Sequence, residues 1–392
     1  MKHTRWATWF LLLASTMTIL ASATLAPAMP AMTHAFSALP NAEFWVRMTL
    51  TLPGLVIALC APLAGSLVDR WDSQKLLMYA LVAFAVSGYL GFYWQTSLWL
   101  ILFSRALMGI AVAFIMVSCT TIASRYFEGP NFSRYMGWQA AFGGFGGVLF
   151  LSIAGVLAEQ HWTWVFAIYG LSLLVLPGVW RFVKAPSQQD HALSKTTPAM
   201  TWMSQALAGC CVLAFVEIVV LYGLTIHLPF YLSHHHASAA EIGFVIAAFL
   251  LAMSCLSMSY GYFRRYFGIK QLHMIGWIVI ALGFAFLSVV ETIPRIVCSS
   301  LIIGAGLGLI RPNLVVWLFE FVPPMMRGKA MGIMMTCYFT GQFMSPVLLE
   351  PLTSSLGYTL FFRSLAVIIL MVVVVVCLVY FMWFGKRQAD VT

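Results

Sequence analysis

Three ionisable side chains, Arg105, Glu217 and Arg311, stand inside long apolar runs where charge is costly. Their settings are Arg105-Ala-Leu-Met-Gly109, Phe215-Val-Glu217-Ile-Val-Val-Leu-Tyr222 and Gly308-Leu-Ile-Arg311-Pro-Asn313. A carboxyl removed from water loses much of its preference for the charged form, so Glu217 can bind and release a proton. A cation in the same setting can hold an anion or the carboxylate of a zwitterion, and Arg311 is the candidate for that role. Arg311 beside Glu217 would oppose proton uptake, and such competition suits a switch. The alternative is a permanent Glu217–Arg311 ion pair that locks the second half of the chain. Tyr222 and Asn313 can add hydrogen bonds to a bound ligand. Arg105 either joins that contact or supports coupling and structure within the first half.

The elements that position these groups follow from composition. The chain has 392 residues, of which 62% are apolar and only 8% charged, outside the range of a soluble domain. A spanning helix needs about 20 apolar residues, so this length holds about twelve. Breaks at Pro/Gly clusters and charges place helices at 6–26, 44–67, 75–94, 98–125, 134–157, 162–182, 203–228, 240–262, 271–290, 295–320, 330–350 and 358–384. The run 365–380 is apolar on every face, which excludes barrel strands. The fold class is therefore an all-α polytopic membrane protein, twelve transmembrane helices in two six-helix bundles. Lys2 and Arg5 ahead of the first apolar run resemble a signal peptide, but eleven further segments favour a retained first helix.

The net charge of +9 invites a nucleic-acid reading, yet the basic residues are scattered singly, so no nucleic-acid partner is expected. Their distribution reports topology instead. With the N-terminus inside, inner loops and helix ends hold sixteen Lys and Arg residues, while outer ends hold Arg47, Arg295 and Arg363. Both termini are then cytoplasmic, in a membrane of the bacterial inner type. The polar stretch Lys184–Thr201 divides the chain into 1–183, a linker 184–201, and 202–392. A shift of 195 residues brings Gly109 onto Gly304, Met136-Gly137 onto Met331-Gly332 and Gly146 onto Gly341, as expected of parallel repeats.

The eight cysteines lack metal-site spacing, no nucleotide-binding loop occurs, and no cofactor or metal is expected. His234-His235-His236 reads as a solvated loop, because consecutive residues cannot all face one ion well. Glu43 and Arg47, four apart, form a local helix salt bridge.

One loop is specific enough to suggest a family. Gly65-Ser-Leu-Val-Asp69-Arg70-Trp-Asp72-Ser-Gln-Lys75-Leu-Leu77 packs four charges into seven positions. It resembles the loop 2–3 signature of the major facilitator superfamily, G-x-L-a-D-r-x-G-r-k-x-x-L, departing from it at Asp72, Ser73 and Gln74. Arg105 followed by Gly109 resembles that family's signature in the fourth helix. The resemblance implies twelve-helix secondary transport by alternating access, with helices 1, 4, 7 and 10 lining a central cavity. On that footing Arg105, Glu217 and Arg311 all lie on cavity-lining helices. Gly65, Asp69, Arg70 and Lys75 then form a cytoplasmic gate. Gly65 would allow a close approach, and Asp69 would meet the start of the eleventh helix near Ala330-Met331-Gly332. The counterpart in the second half, Gly261-Tyr-Phe-Arg264-Arg265, lacks the aspartate, so the latch is one-sided.

Antiporters of that family carry Gly-Pro-x-x-Gly-Gly in helix 5, and here Phe150-Leu-Ser-Ile-Ala154-Gly155 has lost the Gly-Pro. The first helix offers hydroxyls (Ser15, Thr16, Thr18, Ser22, Thr24) and no acid, which argues against a purely cationic substrate. The reading that results is a monomeric, proton-coupled exporter of a small anionic or zwitterionic organic solute. Glu217 and Arg105 serve coupling, and Arg311, Asn313, Tyr222 and Arg105 contact substrate. The rival within transport is uptake of a metal chelate or organic acid. A membrane enzyme would need clustered catalytic groups, and a non-transporting scaffold would tolerate loss of all three charges.

Overall fold

The structure, a computed structural model, describes residues 2–127, 130–183, 205–322 and 327–389. In chain order the helices are α1 (Lys2–Ala23), α2 (Met29–Ala35), α3 (Ala42–Arg70), α4 (Ser73–Tyr93), α5 (Leu98–Tyr126), α6 (Pro130–Gln160), α7 (Leu171–Phe182), α8 (Gln205–His234), α9 (Ala239–Phe263), α10 (Ile269–Leu287), α11 (Ile293–Phe321) and α12 (Arg327–Ala389). Short 3-10 segments, Ala26–Ala28 and Trp162–Gly170, lead into α2 and α7. Among the described residues there is no strand.

Eleven stretches among the described residues are long and apolar enough to cross a membrane. The last, Ala330–Val373, has 44 residues. At 1.5 Å per residue that is about 66 Å, twice the hydrocarbon core. α12 is broken at Gly357, whose φ of 71° and ψ of 168° no L-residue adopts readily. It is therefore long enough for two crossings, which among the described residues accommodates the twelve helices read from the sequence. The expected connection 26–43 is not all loop: it carries the 3-10 segment and α2, with Met29 and Met32 buried. Pro27 and Pro30 sit in the first turns of these elements, where a missing N–H costs little.

The chain forms two compact units, 1–247 with 318–350, and 248–317 with 351–392. These packing units do not follow the boundaries read from the sequence; the linker 184–201 lies outside the described residues. In the first unit α5 packs on α3 and α4, and α1 packs on α6. Gly109 is what permits the α3–α5 approach: a Cβ there would lie 2.8 Å from both the Pro53 carbonyl oxygen and Val56 Cβ. In the second unit Gly304 of α11 does the same against α9, with a virtual Cβ 2.3 Å from the Phe249 carbonyl oxygen and 3.2 Å from Ala252 Cβ. Gly109 and Gly304, matched by the 195-residue shift, thus make equivalent crossings in their own units, at nearly equivalent partner positions.

Candidate functional site

Glu217 lies in α8 within the span Leu207–His234 and is only 1% exposed. α12 crosses α8 at this level, because Gly341 leaves room for it: a Cβ there would approach Ile218 Cγ2 to 2.6 Å and the Phe215 carbonyl oxygen to 3.0 Å. The carboxyl is thus held where two helices are nearly in backbone contact. One and a half turns on, Tyr222 is buried and its hydroxyl donates to the Ser22 carbonyl oxygen of α1 at 3.4 Å.

Arg105 is fully buried in α5 between two rings of the Trp162–Gly170 segment, 5.2 Å from the Phe166 centroid and 4.6 Å from that of Tyr169. Nη1 also donates to Met108 Sδ at 3.2 Å. Gly88 and Gly91 of α4 make space for the cage, since a Cβ at either would come within 2.3 Å of Tyr169 or Phe166. Arg105 is therefore walled in by its own half, and a solute could reach it only if the rings moved. Its flat guanidinium suits stacking where an ammonium does not. Arg105→Lys is expected to cost about 1–2 kcal/mol from two lost ring contacts, read as a fall of several degrees in the melting temperature of purified protein.

Arg311 is exposed on α11, in the other compact unit from Glu217. α11 continues as helix through Pro312. Asn313 Nδ2 donates to the carbonyl oxygen of Ile269, the first residue of α10, at 2.9 Å. Arg311 therefore lies near that end of the α10–α11 pair, not halfway along it. Asn313 is fully buried and its Oδ1 accepts from the Tyr260 hydroxyl at 2.9 Å. With both amide atoms engaged, Asn313 ties three helices together.

The charged loop is braced locally. Asp72, where the family signature has glycine, is the N-cap of α4 and accepts from the backbone N–H of Gln74 at 2.9 Å and of Lys75 at 3.3 Å. Gln74 donates to the carbonyl oxygens of Val179 and Trp180 at the end of α7. Arg125 Nη1 donates to Ser73 Oγ at 3.2 Å. The departures from the signature thus have their own hydrogen-bonding roles. Asp72→Ala is expected to cost about 1 kcal/mol, the usual loss for an N-cap, in a thermal melt. Lys75 is exposed, and the side chains of Asp69 and Arg70 lie outside the described residues.

The close approach expected at Gly65 is absent here. Nothing lies within 4 Å of a virtual Cβ at Gly65 or at Gly332, near the start of α12. Further along the same two helices contact is tight: a Cβ at Gly54 would meet the Gln342 side chain at 2.8 Å. Toward that end α3 and the first segment of α12 are in direct contact. A static glycine cannot reveal which end is closed, because small residues at both ends permit approach without requiring it.

At the closed end stands a cluster that sequence reasoning found only in part. Arg47, 2% exposed, pairs through Nη2 with Glu43 as expected, and through Nη1 with Glu350 of α12. Its guanidinium also lies 5.1 Å from the Phe230 ring centroid of α8, and His227 of the same helix is fully buried. The sequence signal was present: Arg47 is flanked by Phe44-Trp-Val and Met-Thr-Leu, an apolar setting for a residue counted as a loop-end charge. Nearby, Gly155 of α6 and Gly243 of α9 cross so closely that a Cβ on Gly243 would lie 2.7 Å from the Leu151 carbonyl oxygen. The position that lost the exporter Gly-Pro is therefore a close-packing point.

Comparison with known proteins matches the family model described as Major Facilitator Superfamily over residues 11–236 and 210–390. The chain is 24% identical over 174 residues to the class H tetracycline resistance protein of Pasteurella multocida, covering 44% of this chain and 43% of that one. It is 24% identical over 277 residues to the glycine betaine/proline/ectoine/pipecolic acid transporter OusA of Dickeya dadantii, covering 60% and 55%. It is 22% identical over 338 residues to the multidrug transporter protein MdtP of Bacillus subtilis, covering 70% and 62%. The matched regions thus span less than two thirds of each relative's length. Among solved structures, an inward-facing, occupied bacterial homologue of the lysosomal transporter Spinster matches with a TM-score of 0.79, at 13% identity over 97% of both chains. A D-xylose–proton symporter matches with a TM-score of 0.75 at 16% identity, over 93% of this chain and 96% of that one. At these identities the structures speak to fold alone.

Proposed function

The chain belongs to the major facilitator superfamily, and from that premise we propose a proton-coupled transporter that exports a small anionic or zwitterionic organic solute by alternating access. The observation that carries the coupling is Glu217, an acid buried to 1% exposure inside a spanning helix. Retaining an ionisable group at such a position is costly, and its common use in membranes is to move protons. Glu217 exchanges the proton. Arg311, an exposed cation of α11, attracts the solute's negative group, and Tyr222 contributes at the level of α1. Arg105 fixes the first half and acts on coupling through it. The protein works as a monomer in a bacterial inner membrane with both termini cytoplasmic; the sixteen-to-three basic bias supports that orientation.

Export is supported by similarity to a tetracycline resistance protein and to a multidrug transporter protein. A second reading, proton-coupled uptake of an organic acid or metal chelate, is favoured by the absence of the Gly-Pro element before Gly155. Tetracycline and glycine betaine, after which two of the relatives are named, are the first probes. Right-side-out and inverted vesicles carrying the chain are given an imposed pH gradient. The proposal expects probe movement out of the cytoplasmic compartment, accompanied by proton flux in the opposite sense. Flux unaffected by collapsing the proton gradient would refute coupling, and co-directional proton and solute flux would establish the uptake reading.

A further inference from the structure

We infer that Arg47, Glu350 and Glu43 form a gate at the end of the molecule opposite the Gly65–Lys75 loop, and that Glu43 makes this gate reversible. Arg47, Thr51 and Gly54 are spaced i, i+4 and i+7 and share one face of α3. On α12, Gln342 meets that face at Gly54 and Glu350 meets it at Arg47. Thr51, between them, is fully buried, and so is Ser345 of α12. The seam is closed along two turns and its only described cross-helix ion pair is Arg47–Glu350.

The two acids on Arg47 differ in what they hold together. Glu350 belongs to α12, so its bond to Arg47 breaks when α3 and α12 separate. Glu43 belongs to α3, so its bond survives separation. Glu43 acts on the equilibrium twice in the same direction. In the closed seam it competes for the guanidinium and sets a second negative charge beside Glu350. In the open seam it keeps Arg47 paired, so that opening does not leave the cation alone. Both effects favour opening, because acids placed on one cation repel each other and divide its attraction. The Phe230 ring of α8 also lies against the guanidinium. Arg47 is thus a positioning residue for the transport cycle, acting through helix contact and not through the solute.

The gate rests on the alternating-access reading, but its test uses no solute and no proton gradient. Thr51→Cys protein in lipid nanodiscs is treated with a water-soluble maleimide, and peptide-resolved mass spectrometry reads modification at position 51 alone. Against that background, Glu350→Gln is expected to speed labelling about ten-fold, and Glu43→Gln to slow it about five-fold, in the range of coupling seen between conformational states. Arg47→Glu should label as fast as Glu350→Gln, and the exchange Arg47→Glu with Glu350→Arg should return the slow rate. That rescue also separates gating from misfolding, since a chain damaged by the single changes would not recover. The inference is overturned if Glu350→Gln leaves labelling unchanged, if Glu43→Gln speeds it, or if the exchange fails to restore the slow rate. Solute flux that proves uncoupled from protons would sink the proposed coupling while leaving the labelling pattern intact.

Discussion

Glu217→Gln is expected to abolish solute accumulation driven by a pH gradient, by at least about ten-fold, or about 1.4 kcal/mol in the driving equilibrium, while solute-for-solute exchange continues. The reason is the carboxyl's confinement. It is 1% exposed, and the helix of α12 passes it at Gly341, within van der Waals range of the residues on either side. A glutamine fills the same volume and mimics the protonated acid permanently. Helix packing should therefore survive, and so should any conformational step that needs the site neutral. The step that returns the proton is lost. Exchange, which shuttles solute without net proton movement, remains. The measurement is paired: uptake of labelled probe into vesicles under a pH gradient, and counterflow at equal pH with unlabelled probe inside. Accumulation at the native level in the variant would remove Glu217 from the coupling path. Loss of both activities would instead mean that the substitution had damaged binding or folding, and a thermal melt tells those apart.

Gly304→Val is expected to prevent recovery of monodisperse protein, and Gly304→Ala to lower its melting temperature markedly. A Cβ at this position of α11 would lie 2.3 Å from the Phe249 carbonyl oxygen and 3.1 Å from its carbonyl carbon. Those atoms are backbone, so relief requires α9 itself to move. Overpacking in a well-packed core costs about 1–3 kcal/mol where side chains can yield, and here they cannot. Within membranes such crossings provide much of the association between helices, since burial of apolar surface contributes little there. Gly109→Ala should behave similarly but less severely, its nearest atoms standing at 2.8 Å. The controls are Gly65→Ala and Gly261→Ala. Nothing lies within 4 Å of a Cβ at either site, so the better helix propensity of alanine, about 1 kcal/mol, should leave stability unchanged or raised. Equal loss at all four positions would show that the crossings are not what holds these helices together.

The glycines illustrate how far the sequence could be read. Gly109 and Gly304 were paired by a shift of 195 residues, and each makes the same kind of crossing in its own unit. That pairing was legible because a close helix approach leaves only one residue type open to selection. Gly65 was equally prominent in sequence, yet it has no near neighbour in this structure. A glycine permits contact in one conformation of a moving protein and need not show it in another. The same limit applied to the charges. Arg105 was recognised as intramembrane, but its aromatic cage comes from Phe166 and Tyr169, some sixty residues away, seated by glycines on a third helix. Asn313 is by residue type a hydrogen-bonding group for a ligand, and only the fold shows that Tyr260 and the Ile269 carbonyl engage its amide.

Residue types and their spacing by themselves pointed to an all-helical membrane chain with twelve apolar segments, and to its family. Those properties depend on solvent preference and backbone hydrogen bonding, which act locally and leave their mark on every twenty-residue window. Only the tertiary structure decided that Arg47 has a second acid 303 residues away, that one end of the α3–α12 seam is closed, and that Arg311 lies near a helix-pair end. A pairing across helices depends on which faces meet, and helices apolar on every side carry no stripe that says which face that will be.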